Sequence, residues 1–134
     1  MTPSVNGSRA RHAQHTVVAI VEDKPGVLMR VASLFRRRGF NIESLTVGHS
    51  EAPGLSRITI VVDGASAPVE QVEKQLYKLS DVVKVTDLSK EDIVARELAM
   101  LKVRCNNVNR HELLDIANVF RADVVDIATN SIIL

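Results

Sequence analysis

The sequence has few of the residues that build cross-links, aromatic stacks or metal sites. Its single cysteine, Cys105, excludes an intramolecular disulfide and is typical of a reducing compartment. Aromatic residues make up 3% of the chain, so the core must be aliphatic. The formal net charge of +1 does not indicate a nucleic-acid or membrane partner. No apolar run approaches the roughly 18 residues of a membrane span, and we expect a cytoplasmic protein.

Residue patterns typical of an active site are also missing. The four histidines lack metal-ligand spacing, and there is no glycine-rich phosphate loop or isolated pair of carboxylates. Cys105 closes a predicted strand, where an inert buried thiol is the expected state. We therefore expect no catalytic residue, no metal and no cofactor in this chain.

The first half of the chain alternates short β-branched runs with helical patterns. Residues 1–14 are polar, lack the apolar stretch of a signal peptide and are expected to form a disordered tail. Helices are predicted after Asp23 and from Pro68 onward. Strands are predicted over residues 15–21, 40–47, 56–62 and 81–88.

The first predicted helix has signals at both ends. Asp23 is the expected N-cap, Pro25 suits the first turn, and Gly39 is expected to end the helix. Helical spacing predicts one apolar face made of Leu28, Val31, Ala32 and Phe35.

The resulting order is β-α-β-β-α-β, which predicts an α+β, ferredoxin-like fold over residues 15–90. Two helices then cover one face of a four-stranded antiparallel sheet, with the second strand at an edge. The opposite face, which carries residues such as Val61, keeps apolar character and is expected to meet another subunit.

Residues 91–134 repeat the opening of this unit. A strand over residues 97–105 precedes a helix, for which Asn109 and Glu112 form a possible capping box. We therefore predict a second ferredoxin-like unit that is incomplete at its end. A shift of 85 positions aligns Leu28, Val31, Ala32 and Phe35 with Leu113, Ile116, Ala117 and Phe120.

The turn between the first strand and helix could bind a small zwitterion. Unpaired N–H groups in the first helical turn suit a carboxylate, and Gly26 allows close approach. Asp23 can oppose an ammonium group, and Asn41 can donate and accept hydrogen bonds. A plain helix cap and a turn asparagine would explain the same residues, and spacing alone favours that interpretation.

A resemblance to a known family changes this balance. The run VEDKPGVLMRVASLFRRRGFNIESLTV resembles the opening of ACT domains, specifically those of acetolactate synthase regulatory subunits. Residues 55–60, 73–79 and 96–103 resemble the same family, so the likeness extends over residues 15–134. It implies that two ACT domains pair edge to edge as a homodimer, with an amino-acid effector at their interface.

The family also implies a function. Its members stimulate a catalytic subunit that carries thiamine diphosphate, magnesium and FAD, and a branched-chain amino acid, usually valine, is the feedback inhibitor. Many relatives have Asn where this chain has Asp23, whose extra charge would favour the ammonium and repel a nearby carboxylate. The resemblance implies effector contacts by Asp23, Gly26, Val27, Leu28, Asn41 and Ile42.

Three other functions are compatible with the predicted element order or domain type. An ACT-type sensor could regulate a different enzyme or a transcription factor. RNA-recognition domains share the element order but stack bases on strand aromatics, whereas these strands are aliphatic. A small transferase of this fold would need a cluster of catalytic residues, which this sequence lacks.

The second repeat is not expected to bind the effector, because Gly26 aligns with His111 and Asn41 with Asp126.

Overall fold

The computed structural model describes residues 14–65 and 68–134, which form two compact units that divide between Ile93 and Val94. The expected tail lies outside these residues except for Gln14, which begins the first strand. The first unit contains β1 (Gln14–Glu22), α1 (Val27–Arg38), β2 (Ile42–His49), β3 (Leu55–Asp63), α2 (Val69–Leu76) and β4 (Val82–Asp87). The second contains β5 (Lys102–Arg104), α3 (Arg110–Val119), β6 (Asp126–Ala128) and β7 (Ser131–Ile133).

The first unit has the strand order β2-β3-β1-β4, and all neighbours pair antiparallel. β1 pairs with β3 along its whole length, from Gln14 opposite Asp63 to Glu22 opposite Leu55. This order confirms the predicted ferredoxin-like fold and places β2 at a sheet edge.

The core lies between the two helices and one face of this sheet. It is aliphatic apart from Phe35, whose ring packs edge-on against Phe40 with centroids 5.7 Å apart. Val61 lies on the opposite face and is half-buried. The strands contribute Val17, Ala19, Val21, Ile58, Ile60, Val62 and Val85, and the helices Val27, Val31, Leu34, Phe35, Val69, Val72 and Leu76.

The buried face of α1 is rotated from the one predicted. Val31 and Phe35 are buried as expected, but Val27 and Leu34 complete the face. Leu28 is 42% exposed, so its assignment to the core was wrong. Because α1 begins at Val27, that residue packs onto the sheet and Leu28 points away.

The start of α1 also differs from the prediction. Gly26, not Asp23, is the N-cap, with a left-handed φ of 86°. Pro25 lies in the preceding turn rather than in the first turn of the helix. The other end is as predicted: Gly39 is the C-cap with φ 69°, and its N–H bonds to Arg36 O.

The two edges of the sheet differ. At β4, the Tyr77 hydroxyl accepts a 3.0 Å hydrogen bond from Val85 N–H and lies 3.4 Å from Val85 O. This side chain covers the middle of the β4 edge. Within the described residues, β2 has β3 on one side and no strand on the other.

The second unit is a three-stranded sheet, β5-β7-β6, with one helix. β5 spans three residues, shorter than the predicted strand over 97–105. The predicted capping box is not formed: Asn109 Oδ1 accepts the Asn106 N–H at 2.7 Å, and α3 has no side-chain cap. Its buried apolar side chains are Cys105, Ala117 and Ile132, whereas Phe120 is 79% exposed.

Candidate functional site

A cleft of about 180 Å³ opens at the turn between β1 and α1. It lies at the end of the sheet where β1 ends and where the loop between β2 and β3 begins. The cleft is lined by Val21, Glu22, Asp23, Lys24, Gly26, Val27, Leu28, Val47, Ser56 and Ile58. Its volume is below the roughly 300–1,000 Å³ of drug-sized ligand pockets, so it suits a much smaller molecule.

The backbone of the turn leaves hydrogen-bond donors at the helix start. Val27 N–H bonds to Lys24 O at 3.4 Å, and Asp23 N–H bonds to Gly54 O at 2.9 Å. Within residues 14–65 and 68–134, the N–H groups of Leu28 and Met29 have no backbone acceptor. These donors carry the partial positive charge of a helix N-terminus and favour an anion.

Charged side chains surround the mouth of the cleft. Asp23 Oδ2 lies 3.2 Å from His49 Nδ1, at the end of β2. Lys24 Nζ pairs with Glu22, and the hydrogen bond and charge of Glu22 raise the pKa of Lys24 above its usual value. Charged side chains therefore line the cleft together with apolar ones that include Val27 and Val47.

Arg30 lies between Gly26 of the turn and Asp81 of the loop before β4. A Cβ at Gly26 would lie 3.2 Å from Arg30 Nη1, and Arg30 Nε donates a 2.6 Å hydrogen bond to Asp81 Oδ2. Asp81 is 8% exposed, and its carbonyl accepts the Glu22 N–H at 2.9 Å. The turn is therefore fixed to α1 and to the loop before β4.

The structure separates the predicted site residues into two groups. Asp23, Gly26, Val27 and Leu28 lie together at the cleft. Asn41 lies beyond the other end of β2, where its carbonyl accepts the Asp63 N–H at 3.3 Å.

At this far end of β2, Ile42 pairs with Val62, and Asn41 Nδ2 donates to Glu43 Oε1 at 2.8 Å. Strand rise puts Asn41 roughly 25 Å from His49 along β2. Asn41 and Ile42 are therefore not part of the cleft within one chain.

Six residues that line the cleft were missed from the sequence: Val21, Glu22, Lys24, Val47, Ser56 and Ile58. His49 lies at the mouth of the cleft, beside Asp23. Val47 and Ser56 reach the cleft through the β2–β3 register, in which Val47 faces Ile58 and His49 faces Ser56. No local spacing in the sequence reports that register. Ser56 is 7% exposed and is one of two buried polar residues in the described chain, the other being Asp81.

The described residues hold no group of three or more potential metal ligands. Among the described helices, none has the length and apolarity to cross a membrane. Cys105 is buried, in agreement with its expected state.

Comparisons with known proteins agree along both units. Residues 18–84 match the family described as AHAS small subunit-like ACT domain, and residues 96–134 match the family described as small subunit of acetolactate synthase. A relative from Mycolicibacterium smegmatis, named acetolactate synthase small subunit, is 51% identical over 118 residues, covering 88% of this chain and 69% of its own.

Two further proteins extend the likeness. A probable acetolactate synthase small subunit from Archaeoglobus fulgidus is 52% identical, covering 90% of this chain and 76% of its own. The crystal structure of the small subunit from Thermotoga maritima superposes with a TM-score of 0.76 at 41% identity, covering 90% of this chain and 75% of its own. The chain therefore belongs to the family of acetolactate synthase small subunits, the regulatory rather than the catalytic subunits of that enzyme.

Proposed function

We propose that this chain activates the thiamine diphosphate-dependent catalytic subunit of acetolactate synthase and confers feedback inhibition by a branched-chain amino acid. Valine is the proposed effector. The observation that carries the proposal is the cleft at the β1–α1 turn, which combines free helix N–H groups, a carboxylate and an apolar wall. Magnesium and FAD belong, with thiamine diphosphate, to the catalytic partner in this proposal.

The cleft offers a partner for each part of a small apolar amino acid. The N–H groups of Leu28 and Met29 suit the effector carboxylate. Asp23 suits the ammonium group, and its Oδ2 lies at the mouth of the cleft, 3.2 Å from His49 Nδ1. Val27 and Val47 supply apolar contacts for a branched side chain. A free zwitterion would therefore meet complementary groups on three sides.

A homodimer through β2 would bring Asn41 into this site. Two copies of an edge strand can pair antiparallel about a twofold axis. Each copy then uses the same strand as its interface, so that strand is complementary to itself. An axis through the middle of Ile42–His49 places Asn41 of a second copy opposite Ser50 and next to the Asp23–His49 pair. Asn41 and Asp23, far apart in one chain, would then contact the same effector.

The second unit is proposed to serve partner contacts rather than effector binding. Its helix α3 begins after Asn109, and His111 occupies the position that aligns with Gly26. An imidazole side chain there fills the space that a ligand carboxylate would need. A second effector site abolished by a change at His111, seen as a doubled calorimetric stoichiometry, would overturn this assignment.

The test is acetolactate formation by the catalytic subunit with and without this chain, titrated with valine, leucine and isoleucine. We expect a higher rate on adding the chain, and inhibition that is strongest with valine. The three effectors differ by a methylene or its placement, so selectivity of about 10–200-fold is the attainable range. An unchanged rate, or turnover by this chain alone with thiamine diphosphate and magnesium, would contradict the proposal.

A further inference from the structure

A groove of about 590 Å³ lies beside the exposed surface of α1. We call it the α1 groove. It is lined by Met29, Arg30, Ser33, Arg36, Arg37 and Leu79. The last of these belongs to the segment between α2 and β4, so the groove has one helical wall and one wall from a neighbouring loop.

The α1 groove concentrates positive charge in a chain that is nearly neutral. α1 contains four arginines and no acidic residue, whereas the whole chain carries a formal charge of +1. Arg30 is paired with Asp81, which is nearly buried. Arg36 and Arg37 form no ion pair with any described residue, and both are exposed.

Helix electrostatics explain only part of this arrangement. Cations in the last turn complement the helix dipole, and Arg36, Arg37 and Arg38 all satisfy that preference. The dipole does not explain why Arg30, nearly two turns earlier, lines the same groove. Nor does it explain Met29, which is 70% exposed beside these arginines.

The chemistry of the α1 groove fits carboxylates on a protein surface. Arginine forks bind carboxylates through two parallel hydrogen bonds, and arginine and methionine are enriched in protein interfaces. Phosphate sites usually add backbone N–H groups, but this end of α1 presents carbonyl groups. Nucleic acid would require a longer basic surface and aromatic stacking, which the lining residues do not provide.

We infer that the α1 groove docks an acidic segment of the catalytic subunit, through Arg36 and Arg37 with Met29 packing beside them. This assignment rests on the proposed function, since it supplies the contact through which that function would act. Arg30 lines the α1 groove and also lies against Gly26 in the effector turn. The docking surface and the effector cleft therefore share one side chain.

The experiment compares the parent chain with the double variant Arg36→Gln/Arg37→Gln. Arg38→Gln is the matched control, because Arg38 occupies the same helical turn but does not line the α1 groove. Binding to the catalytic subunit is measured by calorimetry at low and moderate salt, with thermal melting and valine binding by the chain alone as folding controls. We expect the double variant to lose about tenfold or more in affinity and most of the salt dependence. Arg38→Gln should stay within about twofold of the parent.

The possible outcomes separate this inference from the proposed function. A parent chain that does not bind the catalytic subunit overturns both. A parent chain that binds, together with a double variant that binds equally well and with the same salt dependence, overturns the docking assignment alone. The assignment also fails if tripolyphosphate or an RNA oligomer binds the parent better than the double variant while affinity for the catalytic subunit is unchanged.

Discussion

The Nδ1 atom of His49 lies 3.2 Å from the Oδ2 atom of Asp23. This contact joins the end of β2 to the β1–α1 turn across the mouth of the cleft. Both side chains are largely accessible, with 87% of His49 and 45% of Asp23 exposed. In the proposed pose an effector ammonium needs the same carboxylate, so the imidazole competes with the ligand.

Replacing His49 by Ala should tighten valine binding by about 1.4- to fivefold, because an exposed polar contact of this kind contributes about 0.2–1 kcal/mol. Isothermal titration of the purified chain measures the change. Arg57→Ala is the matched control, since it removes the exposed Glu51–Arg57 pair, whose atoms lie 2.8 Å apart, without touching Asp23. Weaker valine binding by His49→Ala would show that the imidazole contacts the ligand rather than competing with it.

Gly26→Asp should abolish feedback inhibition and also destabilise the fold. The Asp carboxylate would compete for the N–H groups that the effector needs. The left-handed φ of 86° costs a residue with a Cβ about 1–2 kcal/mol. A place for Gly26 inside the first helical turn, as the sequence suggests, would make only a modest backbone demand, and the left-handed φ shows that this interpretation is wrong.

Two controls separate strain from ligand repulsion. Gly26→Ala adds the strain without the charge. Gly39→Ala adds similar strain at the other end of α1, where φ is 69° and a Cβ would meet nothing within 4 Å. Urea unfolding should show similar losses for all three, while Gly39→Ala keeps full inhibition. A folded Gly26→Asp protein that remains as sensitive to valine as the parent would place the effector site elsewhere.

Leu45→Lys should convert the proposed dimer to a monomer. Leu45 lies in the middle of β2 and is 40% exposed at the open edge, where a second copy would cover it. Val83→Lys is the matched change on β4 and should leave the assembly intact, although Val83 is 55% exposed. Light scattering should show the mass fall to that of one 14.7 kDa chain only for Leu45→Lys. Dissociation by Val83→Lys instead would assign the interface to the other edge.

Asp87 should contribute to stability at neutral pH and lose that contribution in acid. Burial raises its pKa, but hydrogen bonds from the Ser89 N–H and hydroxyl, with the charges of His15 and Lys90, outweigh it and hold the pKa below its usual value. The unfolded chain therefore binds this proton more readily, and the stabilisation disappears as pH falls through the folded-state pKa.

Unfolding by urea between pH 3 and pH 7 tests this assignment. Asp87→Asn should lower stability near neutrality and flatten the acid limb of the profile. Asp92→Asn, which removes an exposed carboxylate of the same unit, should leave the limb unchanged. An acid limb for Asp87→Asn that coincides with the parent's would refute the role of Asp87.

Local sequence signals predicted the features that depend on neighbouring residues. Gly39 ends α1 and Pro68 precedes α2, as predicted. Both signals depend only on residues within one helical turn, because glycine favours the left-handed cap and proline favours a helix start. The start of α1 was mispredicted because a non-local bond holds the turn: Asp23 N–H bonds to Gly54 O, and Gly26 takes the cap position. Spacing around Asp23 carries no information about Gly54.

The candidate site was only partly predictable for the same reason. The predicted residues near the β1–α1 turn are close in the sequence, and in the structure they line the same cleft. They are Asp23, Gly26, Val27 and Leu28. His49 enters the site through strand register. Asn41 was predicted from its hydrogen-bonding amide as well as from the family resemblance, and a geometry for its role requires a second copy of the chain.

In the proposed assembly through sheet edges, the hydroxyl of Tyr77 limits pairing to the β2 edge. A sheet with two open edges can pair with a further copy of the chain at each edge, so assembly by strand pairing can continue indefinitely. Here Tyr77 occupies the hydrogen-bonding groups of Val85 on one edge, which leaves the β2 edge available for growth. Once two β2 strands pair about a twofold axis, that edge is used in both copies. The same contact that stabilises β4 therefore favours a finite particle over a filament.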